Sequence, residues 1–290
     1  MFTIQSSCSA PFCSTKYFIK EVFFVDKLCN LPIGIFDSGL GGLTVVKKII
    51  NLLPNENIIY FGDTARMPYG SKSRDVVMNY AIQSINFLLS KKNKVIVAAC
   101  GTVSTVLCDL PRYKHIIGVV EPSCIAASKV TKNNNVGVIA TPSAIESKKY
   151  QENIKKIDPN IKVISKSCPL LAPLIESRFV NKNDQILKDV LKFYIEPMLE
   201  ENIDTLILGC THYPIVKDTI SEIAKNITIV DSGSETANFL FNYLRLKKLN
   251  NNERKQKLKI FVSDLSQNFV DNANFFLGKD VSKDVIKTKI

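Results

Sequence analysis

The chain has 290 residues, a formal net charge of +11 and 46% hydrophobic residues. This apolar content excludes an intrinsically disordered chain. No apolar run reaches the roughly 18 residues that span a bilayer, so we expect a soluble protein with no membrane partner. The lysines are scattered among Asn and Ile without a dense basic patch, so we expect no nucleic-acid partner. A basic field would instead favour the arrival of a small dicarboxylate substrate.

The cysteines point to the compartment. The chain has eight of them and no CxxC pair. This usage is typical of a cytoplasmic chain with reduced thiols rather than of a secreted disulfide scaffold. We interpret Cys108, Cys124 and Cys168 as small buried apolar residues.

Residues 1–32 stand apart from the rest of the chain. They lack the charged start, the continuous apolar stretch and the cleavage site of a signal peptide. We predict a flexible N-terminal extension or a start codon placed too early. A transit peptide stays open, because no acidic residue precedes Glu21, although the segment also lacks arginine.

A first series of strands and helices follows. Residues 33–36 predict a short strand that ends at the polar run 37–42, and residues 43–53 carry Val46, Ile49 and Ile50 on one helical face. Further strands are predicted at residues 58–61, 95–99 and 116–120. A long amphipathic helix precedes the second of these, with Val77, Ala81, Ile85 and Leu88 in register.

The pattern then restarts at residues 136–141. A helix to about residue 157, a strand at 162–165, a loop with Cys168 and Glu176, a helix at 184–200 and strands at 205–209 and 227–230 follow. Glu121 lies 21 residues after Cys100, and Asp231 lies 21 residues after Cys210. The matching order and spacing predict a repeated α/β unit. The fold class is therefore α/β, with two pseudo-symmetric lobes of parallel sheets flanked by helices.

The tail is too short for a domain of its own. It predicts a helix at 237–246, a strand at 259–262 and a helix at 269–277, which we expect to pack on the first half. The predicted organisation is an extension at 1–32, a first lobe at 33–122 completed by 232–290, and a second lobe at 123–231.

Two of the predicted strands end in a cysteine that a threonine follows within two residues. These cysteines are Cys100 and Cys210. Ligands bind beyond the carboxyl ends of parallel strands, so pseudo-symmetry would place both thiols on opposite sides of one cleft. A helix N-terminus favours the thiolate, below the ordinary pKa of roughly 8.5. One thiolate and one thiol on opposite faces of a carbon suit a two-base inversion of stereochemistry.

Other polar residues at strand ends complete the candidate site. Asp37 and His212 can orient the two sulfurs, and hydroxyls and amides can hold carboxylates as anion nests. The candidates for that role are Ser38, Gly70, Thr102 and Thr211, with Thr141 at a further strand end. Tyr69 and Glu176 stay open between a site role and ordinary turn packing or a solvated loop charge.

No motif for a cofactor or metal emerges. The glycine run at 39–42 fails the dinucleotide fingerprint, because Thr44 occupies the position of its third glycine. Two histidines without clustered cysteines do not predict a zinc site. We therefore expect no cofactor and no metal.

Several motifs resemble those of the glutamate racemase family, from about residue 32 to at least residue 237. They are Asp-Ser-Gly-Leu-Gly-Gly at 37–42, Gly-Asp-Thr-Ala-Arg-Met-Pro-Tyr-Gly at 62–70, Ala-Cys-Gly-Thr at 99–102 and Gly-Cys-Thr-His-Tyr-Pro at 209–214. The resemblance implies the aspartate/glutamate racemase fold, with the active site between two α/β lobes. It also implies cofactor-independent interconversion of L- and D-glutamate, which supplies D-glutamate for peptidoglycan and so for cell shape.

The resemblance assigns roles as well. Cys100 would deprotonate D-glutamate and Cys210 L-glutamate, while Asp37 and His212 assist and Glu176 lies near His212. Substrate would contact Asp37, Ser38, Tyr69, Gly70, Gly101, Thr102, Thr141, Thr211 and His212.

One position departs from the family pattern. Many members have asparagine directly after the first cysteine, whereas this chain has Gly101. The side-chain amide is missing, so one hydrogen bond to the substrate is in doubt. The alternatives are an aspartate racemase on the same scaffold and a catalytically silent binding or inhibitory protein. A homodimer is a candidate assembly, since the sequence does not specify the oligomeric state.

Overall fold

The fold consists of two parallel β-sheets flanked by helices, as predicted. The computed structural model describes residues 28–113, 115–251, 256–266 and 268–290. Its strands are β1 (Ile33–Asp37), β2 (Ile58–Gly62), β3 (Val95–Ala98), β4 (Ile117–Gly118), β5 (Asn135–Ala140), β6 (Lys162–Ser167), β7 (Thr205–Leu208), β8 (Thr228–Asp231), β9 (Leu258–Val262) and β10 (Val285–Lys287).

The two sheets repeat one topology. The first has six strands in the order β10-β9-β2-β1-β3-β4, and the second has four in the order β6-β5-β7-β8. The order β2-β1-β3-β4 in one sheet therefore corresponds to β6-β5-β7-β8 in the other, which confirms the predicted repeat. β3 and β7 are equivalent strands, so the residues that follow them lie at equivalent points of the two halves.

Burial explains the strand sequences. All five residues of β1 and all four of β3 and β7 are buried. A parallel sheet with helices on both faces leaves no polar face, which is why these strands are continuous apolar runs rather than alternating ones.

Eleven α-helices connect the strands of the described chain. They are α1 (Gly42–Leu52), α2 (Arg74–Ser90), α3 (Gly101–Leu107), α4 (Val120–Val130), α5 (Pro142–Glu146), α6 (Lys149–Ile157), α7 (Leu171–Glu176), α8 (Gln185–Glu200), α9 (Lys217–Ile223), α10 (Ser232–Lys247) and α11 (Phe269–Leu277). Short 3₁₀ turns cover Pro111–Tyr113 and Tyr213–Val216. None of these helices is long and apolar enough to cross a membrane.

Three predicted boundaries were wrong. The strand expected at 116–120 is only Ile117–Gly118, and Glu121 lies in the first turn of α4. The single helix expected up to residue 157 is two helices, because Lys148 between them has a left-handed backbone with φ 57°. Glu176 ends the short helix α7 instead of lying in a loop.

The tail returns to the first sheet, as predicted. β9 pairs in parallel with β2, and β10, which the sequence analysis missed, pairs with β9.

The expectation for residues 1–27 lies outside the described residues, but the predicted extension also included residues 28–32. Within these, Cys29 is buried, and its carbonyl oxygen accepts a 2.7 Å hydrogen bond from the buried Lys94 ammonium. Lys94 also pairs with Glu56.

Candidate active site

A cavity of about 360 Å³ lies where strand ends of both sheets meet. The ends of β1, β3, β5 and β7 contribute Asp37, Cys100, Thr141 and Cys210 to its wall. All twelve residues proposed from the sequence line it, namely Asp37, Ser38, Tyr69, Gly70, Cys100, Gly101, Thr102, Thr141, Glu176, Cys210, Thr211 and His212. The structure therefore brings the two thiols and their candidate partners into one space.

Cys100 lies at the N-terminus of α3 and is 6% exposed. Its sulfur donates a hydrogen bond to the Ser38 hydroxyl at 3.6 Å. Burial and the nearby charge of Asp37 raise the pKa of this thiol to about 12, although hydrogen bonding with the Val103 amide and with the Ser38 hydroxyl opposes the shift. The helix N-terminus favours the thiolate here through the Val103 amide, as expected, but desolvation by burial is the larger effect and raises the pKa overall.

Asp37 ends β1 and is almost completely buried. One carboxylate oxygen accepts a 2.8 Å hydrogen bond from the Gly39 amide. Burial raises the pKa of this carboxyl above its ordinary value, although the charge of His212 and the Gly39 and Gly42 amides oppose the shift. Asp37 thus acts on Cys100 through its charge, while Ser38 makes the direct contact.

Cys210 has different neighbours. Its sulfur lies 3.6 Å from Nδ1 of His212, and Nε2 of His212 lies 2.8 Å from the Glu176 carboxylate. Burial alone would lower the pKa of His212, but hydrogen bonds to Cys210 and Glu176 and their negative charges raise it to about 10. The imidazole is therefore protonated at neutral pH and can donate one hydrogen bond to each neighbour.

Hydroxyl groups line the rest of the cavity. The hydroxyls of Thr102 and Thr141, one from each half, lie 2.8 Å apart. The hydroxyl of Thr44 donates to the carbonyl of Thr211 at 2.7 Å and so connects α1 to the segment after Cys210. Tyr69 donates its hydroxyl to Asp63, which leaves its ring and backbone as the parts available to a ligand.

The sequence analysis missed several lining residues. Most are apolar or backbone contributors, and they include Leu40, Met67, Pro142, Cys168, Ala172, Pro173 and Gly209. The sequence predicted a loop with Cys168, but apolar residues carry no chemical signal that distinguishes a cavity wall from a core. Cys168 and Cys124 are buried as predicted, whereas Cys108 is exposed because it lies just past the end of α3.

In the parts of the chain that the structure describes, no group of three or more His, Cys, Asp or Glu side chains is arranged to hold a metal ion. Among the titratable groups that line the cavity, Cys210, His212 and Glu176 are hydrogen-bonded in a row.

Two parallel α/β units that present a pair of cysteines to one cavity define a class of protein, the two-lobed amino-acid racemases. A family model described as Asp/Glu/Hydantoin racemase matches residues 33–240. The glutamate racemase of Thermoanaerobacter sp. (strain X514) is 41% identical over 251 residues, covering 86% of this chain and 94% of the relative. The chain belongs to the Asp/Glu/Hydantoin racemase family.

Solved structures agree with this assignment. Glutamate racemase from Francisella tularensis, crystallised in complex with D-glutamate, superposes with a TM-score of 0.83 at 37% identity, covering 90% of this chain and 98% of that one. The isoform RacE1 from Bacillus anthracis gives a TM-score of 0.85 at 35% identity, with the same coverage of both chains.

Proposed function

We propose that the protein is a glutamate racemase that interconverts L- and D-glutamate with two cysteines and no cofactor. The observation that carries the proposal is the meeting of Cys100 and Cys210, from equivalent strand ends of a repeat, in one cavity of about 360 Å³. The relatives that match most of the chain are glutamate racemases, which supports glutamate as the substrate.

The two thiols divide the proton transfers. With L-glutamate, the thiolate of Cys210 removes the α-proton, and the protonated His212 beside it stabilises that thiolate beforehand. Cys100, which is protonated at neutral pH, delivers its own proton to the opposite face of the carbon. The products are D-glutamate, a Cys210 thiol and a Cys100 thiolate, so one proton has left the substrate and one has been added. The reverse reaction begins from this second state.

Neutral donors are proposed to hold the two carboxylates of the substrate. In the described chain, no lysine or arginine is among the residues that line the cavity. Hydroxyls and backbone amides of Ser38, Thr102, Thr141 and Thr211 remain as hydrogen-bond donors, together with the backbone of Gly70. These groups bind carboxylates without placing a fixed cation beside Cys100, so its proton stays on the sulfur until it is transferred.

The test is racemisation of L-glutamate and of L-aspartate in separate reactions, followed by circular dichroism. We expect loss of optical activity with glutamate and little change with aspartate. Activity confined to aspartate would support the aspartate racemase alternative and overturn the assignment. In heavy water, we expect deuterium to enter Cα of both glutamate enantiomers. Absence of exchange in both would identify a silent binding protein.

We extend the proposal to the role of the enzyme in the cell. The D-glutamate would serve peptidoglycan synthesis in the cytoplasm. The cysteines at 29, 100, 108, 124, 168 and 210 are unpaired, in keeping with a reducing compartment.

We propose the lobe boundaries 33–122 with 232–290, and 123–231, on the basis of the two sheets. A homodimer remains the candidate assembly, and measurement of the molecular mass in solution tests it.

A further inference from the structure

Tyr150 is a buried tyrosine that the proton-transfer scheme does not use. It lies in the first turn of α6 and is 0% exposed. Its hydroxyl donates a 3.1 Å hydrogen bond to the carbonyl oxygen of Gly209, the residue that precedes Cys210. Burial raises its pKa well above the ordinary value, so the hydroxyl remains a donor throughout the working pH range.

Gly209 is held from both sides. Its amide donates a 2.8 Å hydrogen bond to the carbonyl of Ile139 in β5, while its own carbonyl accepts from Tyr150. A Cβ on Gly209 would lie 2.9 Å from the Tyr150 hydroxyl, so only glycine fits there without displacing that hydroxyl. The carbonyl belongs to the peptide that links Gly209 to Cys210, so its orientation determines the direction in which the Cys210 side chain leaves the backbone.

The same carbonyl oxygen touches the other half of the site. A Cβ on Gly101 would overlap the Gly209 oxygen, so the backbone next to Cys100 packs directly against the backbone next to Cys210. In this chain, a side chain at position 101 would have to displace the Gly209 oxygen. Glycine at position 101 therefore permits the close contact.

We propose that Tyr150 is a positioning residue for the racemase reaction, which holds the Gly209–Cys210 peptide against Gly101 and thereby aims Cys210 at the substrate. The proposal rests on the proposed function, because it assumes that Cys210 exchanges the α-proton of L-glutamate. Tyr150 is not among the described residues that line the cavity, and its hydroxyl donates to the Gly209 carbonyl rather than to the Cys210 sulfur. Its effect is therefore confined to the proton transfer on the Cys210 side.

The test uses Tyr150→Phe in the full chain. The two enantiomers have equal free energies, so kcat/KM is the same in both directions for every variant. A slower transfer at Cys210 appears instead in the primary isotope effects measured with α-deuterated L- and D-glutamate. We expect a loss of activity on the order of tenfold, since small misplacements of reacting groups are costly. The isotope effect should rise in the L-to-D direction and fall in the D-to-L direction.

The matched control is Tyr213→Phe. Tyr213 is equally buried and donates a hydrogen bond of the same length, 3.1 Å, to the carbonyl of Cys168. We expect Tyr213→Phe to lose about as much thermal stability as Tyr150→Phe. Its two isotope effects should not move in opposite directions. Isotope effects in Tyr150→Phe that move together, or that match those of Tyr213→Phe, would overturn the positioning role.

A second variant covers the case in which Tyr150→Phe does not fold. Gly101→Ala presses on the same carbonyl oxygen, and we expect it to fold and to lose at least as much activity. Wild-type activity in Gly101→Ala would contradict the close contact. If the wild-type protein itself exchanges no α-proton of glutamate, the proposed function fails first, so the two failures are distinguishable.

Discussion

The two halves of the cavity place a thiol at the same point of the fold and surround it differently. Cys100 contacts a neutral hydroxyl at 3.6 Å and lies near the buried Asp37 carboxyl, and its pKa is raised to about 12. Cys210 lies 3.6 Å from an imidazole that Glu176 keeps protonated. The repeat therefore determines where the thiols are, whereas the neighbours of each thiol give the two sulfurs different electrostatic surroundings.

The largest effect should come from removing either thiol. We expect Cys100→Ala and Cys210→Ala each to slow racemisation by roughly 10²–10⁴-fold, the contribution of a general acid or base. The measurement is racemisation by circular dichroism, with Cys124→Ala as a control because Cys124 is buried outside the cavity. A Cys100 or Cys210 variant with near wild-type activity would refute the two-base scheme.

Removing the protonated imidazole of His212 should selectively affect the half of the site that contains Cys210. We expect His212→Asn to reduce kcat/KM by on the order of 100-fold, at the low end for an acid–base group. The wild-type rate should fall as the pH rises through about 10, where His212 loses its proton, and this limb should be absent in the variant. Identical pH profiles for the two proteins would show that loss of the His212 proton does not cause the basic limb.

The same group makes a prediction about stability. The pKa of His212 is raised in the folded state from 6.5 to about 10, so folding favours the protonated form. The resulting stabilisation is fully present below pH 6.5 and is lost as the pH rises through about 10. Chemical denaturation across this range should show a steeper loss in the wild-type protein than in His212→Asn.

A smaller effect is expected from the carboxylate behind the imidazole. Glu176→Gln keeps a hydrogen-bond acceptor near His212 but removes the charge that raises its pKa. We expect an activity loss of about tenfold, since a neutral partner gives a hydrogen bond roughly half as strong as a charged one. The basic limb of the pH profile should move toward neutral pH. A limb that stays in place would mean that Glu176 is an ordinary surface charge.

The smallest effect should come from removing the hydroxyl group that contacts Cys100. Ser38→Ala removes the hydroxyl that accepts the Cys100 proton in a hydrogen bond, a neutral contact worth about 1 kcal/mol, so we expect a loss of about fivefold. The basic limb should stay where it is in the wild-type protein, because His212 is untouched. A loss as large as that of His212→Asn would contradict the difference between the halves.

The sequence alone determined most of the elements and the placement of Cys100 and Cys210 at equivalent strand ends. Short apolar runs identify buried strands because a parallel sheet is covered on both faces, and the polar residues that follow them lie at one edge. Local backbone preferences therefore sufficed for β3, β7, the two cysteines after them and the repeat that pairs them. The same patterns failed at Lys148, where a left-handed backbone splits a helix that side-chain periodicity alone joins.

Only the tertiary structure decided how the Cys100 thiol ionises and what surrounds each of the two thiols. Burial, and not the helix N-terminus, controls Cys100, and burial depends on packing from the whole chain. Glu176 reaches His212 across 36 residues, and Tyr150 reaches Gly209 across 59. Such contacts follow from the meeting of distant segments, and desolvation and charge pairing act through space, so no periodicity along the sequence encodes them.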